Sequence, residues 1–355
     1  MRGAVELLPI EVERPPLVTG KQWLWLLAAA IVLLGITFTI GWRPIIGPRA
    51  RALNNRTFEW SAARAARGKY LAETVSTCMD CHSPRDWTKH DQPMTPGMEG
   101  AGADFAFLKG IPGHLVAPNL TPDRETGAGT WSDDAIARAI REGIGHDGRA
   151  MFPLMPYADF RHLSDEDVAS IVVFLRSLPP VRNPLPASQV DFPVRYLMRD
   201  APQPLEEPVE PPDVSTPEKR GEYLVEVAAC EDCHTPRYHG QAIPGLVFGG
   251  GSVLEGPWGR VASANITPDA SGIGYYDEAL FTQVMRTGFV HARELNQIMP
   301  WALYRDMTDD DLHATFAYLR TLTPVRHRVD NTETPTPCKL CKASHGLGAE
   351  NTSTH

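Results

Sequence analysis

Hydrophobic and polar positions divide this chain into short helical stretches separated by long loops. Apolar residues recur at three- and four-residue intervals in several segments, and Ser, Thr or Asp often precedes them at the position of a helix N-cap. Alternation of the kind that indicates strands is sparse. The pattern therefore predicts a mainly α fold, with helices at 133–142, 163–178, 277–287 and 307–322.

One segment near the start of the chain is apolar throughout. Residues 22–42 contain no charged side chain and lie between Lys21 and Arg43. At about 1.5 Å per residue they would span about 30 Å, the thickness of a bilayer core. A cleaved signal peptide would have a shorter apolar stretch and a small-residue cleavage site. We therefore expect an N-terminal transmembrane helix that is retained as an anchor, with residues 1–21 in the cytoplasm.

The rest of the chain contains an internal duplication. Arg67-Gly-Lys-Tyr-Leu-Ala-Glu is matched by Arg220-Gly-Glu-Tyr-Leu-Val-Glu, and further matched motifs follow in the same order. Two tandem domains are predicted, with a linker whose proline-rich, acidic part should act as a stiff spacer. The predicted segments are domain 1 at 60–180, the linker at 181–214, domain 2 at 215–325 and a tail at 326–355.

Each predicted domain carries one Cys-x-x-Cys-His motif. The first runs from Cys78 through Cys81 to His82, and the second from Cys230 through Cys233 to His234. This spacing is the attachment signature of a c-type haem, in which two thiols bind the porphyrin vinyl groups and the histidine binds the iron. A zinc ribbon would need its two cysteine pairs much closer together. The sequence therefore predicts two covalently bound haem c groups and redox chemistry.

The second axial ligand of each iron decides what that iron does. Met155 and Met299 occupy equivalent places in the repeat, and each precedes a proline. A thioether ligand raises the reduction potential and leaves no open position for oxygen or peroxide. Met151 has no counterpart before a proline in domain 2. His146 and His291 are also repeat-matched and stay as alternative ligands, although we favour the methionines.

Groups around the predicted haems can be proposed from their neighbourhood in the sequence. A ligating histidine usually donates its second ring N–H to a carbonyl, and the backbone near Pro84 and Pro236 is the nearest acceptor. For four further side chains we expect either pairing with the haem propionates or an ordinary surface or packing role. They are Arg85, Arg237, Trp131 and Trp258.

The bulk composition excludes some partners. The 355 residues are 43% hydrophobic and 22% charged, as in ordinary globular proteins. A net charge of −9 argues against a nucleic-acid partner. It is compatible with a basic docking surface on a redox partner, and equally with a plain acidic surface.

Taken together, these motifs resemble the cytochrome c subunits of periplasmic alcohol, aldehyde and gluconate dehydrogenases. The resemblance rests on Cys-x-x-Cys-His, Asn-Leu/Ile-Thr-Pro-Asp and Met-Pro-Tyr/Trp, and it covers residues 60–325. It implies two tandem class I cytochrome c-like domains with axial pairs His82/Met155 and His234/Met299. Such subunits typically carry three haem domains and a different membrane attachment, whereas this sequence shows two complete haem motifs.

A third cysteine pair, Cys338-Lys-Leu-Cys341-Lys342, lies in the tail. It has the form of a haem motif with lysine in place of histidine, but too few residues follow to build a haem pocket. A disulfide or a cysteine-paired metal clip is a simpler interpretation in an oxidising compartment. We therefore expect two haems rather than three.

The sequence thus favours a membrane-anchored electron-transfer subunit without a catalytic residue of its own. Because bacteria attach c-type haem outside the cytoplasmic membrane, residues 43–355 are expected in the periplasm. The expected partners are the membrane and redox proteins: a dehydrogenase, a terminal oxidase or a quinol-oxidising complex. A cytochrome c subunit of a haem-copper oxidase and a di-haem peroxidase are the alternatives, and the peroxidase would need an open iron.

Overall fold

The computed structural model describes residues 19–40 and 46–352. Helices form most of the regular structure in these ranges. They are α1 (Gly20–Ile40), α2 (Ala62–Tyr70), α3 (Cys78–Cys81), α4 (Asp133–Glu142), α5 (Tyr157–Phe160), α6 (Asp165–Ser177), α7 (Val194–Leu197), α8 (Pro217–Val227), α9 (Cys230–His234), α10 (Glu278–Thr287), α11 (Trp301–Tyr304) and α12 (Asp309–Thr321). Helix α2 continues into a π-helical turn at Leu71–Val75.

The strands of the described chain are short and pair antiparallel, two by two. The pairs are β1 (Ala103–Asp104) with β3 (Val116–Ala117), β2 (Gly113–His114) with β4 (Gln189–Val190), β5 (Arg237–Tyr238) with β6 (Gln241–Ala242), β7 (Val253–Gly256) with β8 (Gly259–Ala262), β9 (Phe289–Val290) with β10 (Arg293–Glu294), and β11 (Pro335–Pro337) with β12 (Ser344–Gly346).

Local capping explains where the longer helices begin and end. Ser132 and Asp277 each accept a hydrogen bond from the backbone N–H three residues on, which starts α4 and α10. Gly143 and Gly288 end the same two helices in the left-handed conformation, with φ of 70° and 72°. The predicted helices at 133–142 and 277–287 are therefore confirmed to within one residue.

Two matched helix pairs form the centres of two helical units. Helix α2 crosses α6 at Gly68, where an added Cβ would strike the carbonyl of Ser170. Helix α8 crosses α12 at Gly221, where it would strike the carbonyl of Ala314. Glycine allows this close backbone approach, which gives the Arg-Gly-x-Tyr motif of each repeat a packing role.

The two units pack against each other through one continuous hydrophobic core. Their contact includes an exchange of hydrogen bonds between the repeats. Tyr223 of the second unit donates to Asp167 of the first at 2.6 Å, and Tyr70 of the first unit donates to Asp311 of the second. Each acceptor also binds an arginine of its own unit: Arg67 with Asp167 at 2.8 Å and Arg220 with Asp311 at 2.6 Å.

The predicted transmembrane helix and the predicted membrane localisation are wrong. Helix α1 begins at Gly20 and therefore includes the charged Lys21. Within residues 19–40 and 46–352, no helix combines the length and the apolar character that a membrane crossing requires. Most of the predicted cytoplasmic segment, and residues 41–42 of the predicted span, lie outside the described ranges.

Candidate functional site

Each Cys-x-x-Cys-His motif forms a single helical turn that a left-handed residue introduces. Thr77 precedes Cys78 with φ of 44°, and Ala229 precedes Cys230 with φ of 53°. Burial raises the pKa of the Cys78 thiol and of the Cys230 thiol to about 12. They are therefore neutral apolar groups rather than reactive thiolates.

Both histidines of the motifs are held by a carbonyl on a distant loop. His82 Nδ1 lies 2.8 Å from the carbonyl oxygen of Pro118, and His234 Nδ1 lies 2.7 Å from that of Ala264. Burial lowers the pKa of both imidazoles, partly offset by these carbonyls, so the rings are neutral. Each ring donates through Nδ1 and keeps Nε2 free as a metal ligand.

The predicted acceptors near Pro84 and Pro236 are therefore wrong, because the acceptor comes from the loop before Asn-Leu/Ile-Thr-Pro-Asp. Asn119 Oδ1 accepts from the backbone N–H and the hydroxyl of Thr121, which closes a tight turn. Its Nδ2 donates to the carbonyl of Val181 at 2.8 Å. The matched Asn265 makes the same bonds to Thr267 and Val325. Sequence reasoning noted this motif but missed its role, which is to fix the loop that orients each histidine.

A large cavity opens beside the first motif. Its volume is about 970 Å³, near the upper end of the ~300–1,000 Å³ usual for ligand and cofactor pockets. Most of its lining is apolar. The predicted ligands of the first site all line it: Cys78, Cys81, His82 and Met155.

The two Met-Pro loops have the same backbone hydrogen bonding. Met155 N–H donates to Phe152 at 3.2 Å, and Met299 N–H donates to Asn296 at 3.1 Å. Each methionine carbonyl then accepts from the residue two positions on, at 2.8 Å. Both side chains are half-buried and pack against the core. The loops are therefore structurally equivalent, with a thioether at the same place in each.

The rival ligands differ from the methionines in burial or in symmetry. Met151 also lines the cavity. Its N–H donates to the carbonyl of Gly143, and in the second unit the N–H of Leu295 donates to the carbonyl of Gly288 in the same way. The counterpart of Met151 is therefore a leucine. His146 lines the cavity, is exposed and stacks on Trp131, with ring centroids 4.2 Å apart. His291 is exposed too.

The candidate propionate partners have protein partners of their own. Arg85 contacts Asp80, and Arg237 contacts Asp232 at 3.0 Å, so each arginine binds the aspartate of its own cysteine motif. Trp131 lines the cavity. Trp258 packs against the first unit, where its ring centroid lies 4.9 Å from that of Trp87.

The two cysteine motifs lie next to each other across the contact between the units. The buried Tyr304 hydrogen-bonds Ala228 and Thr77 and lies close to Cys81 of one motif and Cys230 of the other. Burial and these thiols raise its pKa well above the ordinary value.

A carboxyl pair also spans this contact. Asp159 of the first unit faces Asp232 of the second, and burial, followed by this neighbouring carboxylate, raises the pKa of Asp159. Sequence reasoning missed this pair because the two residues belong to different units.

The tail cysteines do not form a third copy of the site. Cys338 and Cys341 are buried beside His327 and His345, and the ligand atoms of all four lie within 4.8 Å of one another. The two histidines were missed, although the spacing His-x10-Cys-x2-Cys-x3-His can be read from the sequence.

The first site fits a haem on three observations. A cavity of suitable size is present, two cysteines and a neutral histidine with a free Nε2 line it, and a thioether lies on its wall. The second site repeats the cysteine turn, the histidine–carbonyl bond and the methionine loop. Haem bound at such a site would supply one-electron redox chemistry.

Comparison with known proteins agrees with this geometry. The cytochrome c family model matches residues 65–179. One subunit of the nicotinate dehydrogenase of Pseudomonas putida is 34% identical over 68% of this chain and 20% of that protein. The cytochrome c subunit of the quinone-dependent alcohol dehydrogenase of Gluconobacter oxydans is 29% identical over 88% of this chain and 63% of that protein.

A di-haem c-type cytochrome of Cereibacter sphaeroides is 30% identical over 59% of this chain, and the match covers 70% of that protein. The chain spans about a fifth of the nicotinate dehydrogenase polypeptide and less than two thirds of the alcohol dehydrogenase cytochrome. This chain therefore belongs to the cytochrome c family, the electron-transfer proteins that carry covalently bound haem c.

Proposed function

We propose that this chain is a di-haem electron carrier that relays electrons within a dehydrogenase complex. The covalent attachment sites are Cys78 and Cys81 for one haem and Cys230 and Cys233 for the other. The axial pairs are His82 with Met155 and His234 with Met299.

The equivalence of the two methionine loops supports these axial pairs. Met155 and Met299 share their backbone bonding and their half-buried position, whereas Met151 corresponds to Leu295. A leucine has no ligand atom, so only one methionine position is common to both units. A histidine and a thioether saturate the iron and set a high potential, which suits electron transfer and not peroxide chemistry.

The single observation that carries the relay is the adjacency of the two cysteine motifs. Cys81 and Cys230 both approach Tyr304, which is buried in the contact between the units. The exchanged bonds Tyr223–Asp167 and Tyr70–Asp311 hold the units in this arrangement. An electron that enters at one site therefore has a short path to the other through packed protein.

The relatives indicate the kind of partner. Those described as cytochrome subunits of alcohol, fructose and gluconate dehydrogenases support a dehydrogenase as the electron donor. A net charge of −9 is compatible with basic docking surfaces on the donor and on the respiratory acceptor. The chain itself acts as a non-catalytic subunit in this proposal.

The test combines haem counting with ligand replacement in the full chain. We expect the mass of two haems per polypeptide and, in the oxidised protein, the weak near-infrared band of methionine-ligated iron. Met155→His and Met299→His should each abolish about half of this band and lower one potential by on the order of 0.1 V or more. Met151→Leu is the matched control and should leave both unchanged.

Three results would contradict the proposal. A single haem per chain would exclude the relay, and an intact band in Met155→His would exclude that ligand. Binding of peroxide by the reduced protein would show an open iron and favour a peroxidase instead.

A further inference from the structure

Four metal-binding side chains converge in the tail, away from both haem sites. They are the thiols of Cys338 and Cys341 and the imidazoles of His327 and His345, with ligand atoms within 4.8 Å of one another. All four residues are at least 95% buried. Two thiols and two imidazoles, fully enclosed, form the donor set of structural zinc sites.

Backbone carbonyls orient both histidines for ligation. His327 Nδ1 lies 2.8 Å from the carbonyl oxygen of Gly249, and His345 Nδ1 lies 2.9 Å from that of Gly346. Each ring therefore presents Nε2 to the cluster. Nε2 of His345 is buried and has no hydrogen-bond partner among the described residues. A buried nitrogen in this state is costly unless another group satisfies it.

The cysteines lie at the turn between β11 and β12. Lys342 N–H donates to the carbonyl of Cys338 at 3.1 Å, and Lys342 adopts the left-handed conformation with φ of 64°. This turn brings both sulfur atoms to the same side. The backbone at Gly251 lies against the cluster from the other side, which is possible because glycine has no side chain. A Cβ at this position would lie 2.6 Å from the His327 ring and 3.3 Å from the Cys341 sulfur.

A haem and a disulfide fit these observations less well. Lys342, which stands at the histidine position of a haem motif, is exposed and donates through Nζ to the carbonyl of Lys339 at 2.7 Å. The two buried imidazoles occupy the space beside the sulfur atoms. A disulfide would use both thiols but leave Nε2 of His345 unsatisfied.

We propose that Cys338, Cys341, His327 and His345 bind one divalent metal ion of the zinc class, as a closed structural site. Binding forms two metal–thiolate and two metal–imidazole bonds, and the two thiol protons pass to solvent. Four protein ligands complete a tetrahedron and leave no position for substrate, so the ion has a structural role.

The site also ties the tail to the loop that orients His234. Asn331, on the same tail, binds both the N–H and the C=O of Ala262, at 2.8 and 2.9 Å. Ala262 lies two residues before Ala264, whose carbonyl holds His234. A metal ion between His327 and the β11–β12 turn would therefore fasten the tail over the second haem loop.

The experiment measures zinc and haem iron in the full chain, purified without chelators from zinc-supplied medium. We expect one zinc ion per polypeptide. X-ray absorption at the zinc edge should show two sulfur ligands at about 2.3 Å and two nitrogen ligands at about 2.0–2.1 Å. This measurement on the unaltered protein does not depend on whether any variant folds.

Ligand variants then assign the residues. Cys341→Ser and His345→Ala should lose the zinc but keep both haems, which separates this proposal from the haem proposal. His313→Ala is the matched control. His313 is an exposed histidine of the second unit, and among the described residues its ring hydrogen-bonds Glu278 alone, at 2.9 Å. This variant should retain the full zinc content.

Four outcomes would overturn the site. A wild-type chain without zinc whose mass is lower by two hydrogen atoms would indicate a Cys338–Cys341 disulfide, and a third haem would also exclude zinc there. A zinc spectrum without sulfur ligands, or zinc retained in both ligand variants, would show that the metal binds elsewhere.

Discussion

The two units share one design for holding the proximal histidine but fasten it differently. In the first unit Ser188 accepts from Val116 N–H at 2.9 Å and donates to its carbonyl at 3.0 Å, two residues before Pro118. In the second unit Asn331 makes the corresponding bonds to Ala262. In both units, a segment that follows the last helix of the unit packs over the loop that holds the histidine. Its hydrogen bonds to that loop, the tie of each unit, come from outside the helical core and hold the loop in place.

The segment that supplies the tie also differs in what surrounds it. In the first unit it pairs β4 with β2 and lines the large cavity. In the second it carries the buried Cys–His cluster. His82 is buried, whereas His234 is half-exposed and Cys233 is exposed. The comparison indicates that the first site is enclosed by its own linker, while the second lies nearer the surface and is fastened by the tail.

The largest effect on stability is expected from variants at the two helix crossings, which the units share. Gly68→Ala and Gly221→Ala each drive a Cβ into a facing backbone carbonyl, so each should lower the free energy of unfolding by about 3 kcal/mol or more. Denaturant unfolding of the holoprotein measures this. Lys69→Ala, at an exposed position of α2, is the control. A cost below about 1 kcal/mol at either glycine would mean that the crossing is not tightly packed there.

The next largest test concerns the exchanged tyrosines. Tyr223→Phe leaves Asp167 with its arginine but without a donor from the other unit, and Tyr70→Phe does the same to Asp311. We expect each to cost about 1.5–3 kcal/mol, the usual range for a hydrogen bond to a charged group. Tyr238→Phe, at an exposed site, should have no effect. If the double variant also slows electron exchange between the haems, the contact positions the relay.

A pH-dependent test uses a position where the repeat breaks. Asp159 corresponds to Leu303 in the second unit, because both lie four residues after the methionine. Burial and Asp232 raise the pKa of Asp159 above its ordinary value of 3.8. The folded protein therefore binds this proton more tightly than the unfolded chain. Its contribution to stability is present below pH 3.8 and is lost as pH rises through the raised pKa.

Asp159→Asn should consequently gain stability over the wild type as pH rises toward neutrality, by on the order of 1–3 kcal/mol. Unfolding curves measured at several pH values check this. Asp306→Asn, which removes an exposed carboxylate outside the pair, is the control for the loss of one charge. A constant difference for Asp159→Asn would show that the carboxyl pair does not couple.

Sequence reasoning succeeded where the determinants are local and failed where they are distant. Caps such as Ser132 and Asp277 bond three residues away, so the helices were readable. The acceptor of His82 lies 36 residues on, and that of His234 lies 30, in loops with no regular pattern. The exchange between units joins residues 56 and 241 positions apart. These pairings depend on how the units pack, which periodicity does not report.

The smallest effect distinguishes the two ties directly. Ser188→Ala and Asn331→Ala each remove two hydrogen bonds to one backbone position, at an expected cost of about 1–2 kcal/mol. If the tail binds zinc, the ion holds the tail in place when Asn331 is lost. The cost of Asn331→Ala should then rise after zinc is removed, whereas that of Ser188→Ala should stay the same. Unfolding curves with and without a chelator measure both. An equal response of the two variants would mean that the cluster does not fasten the second histidine loop.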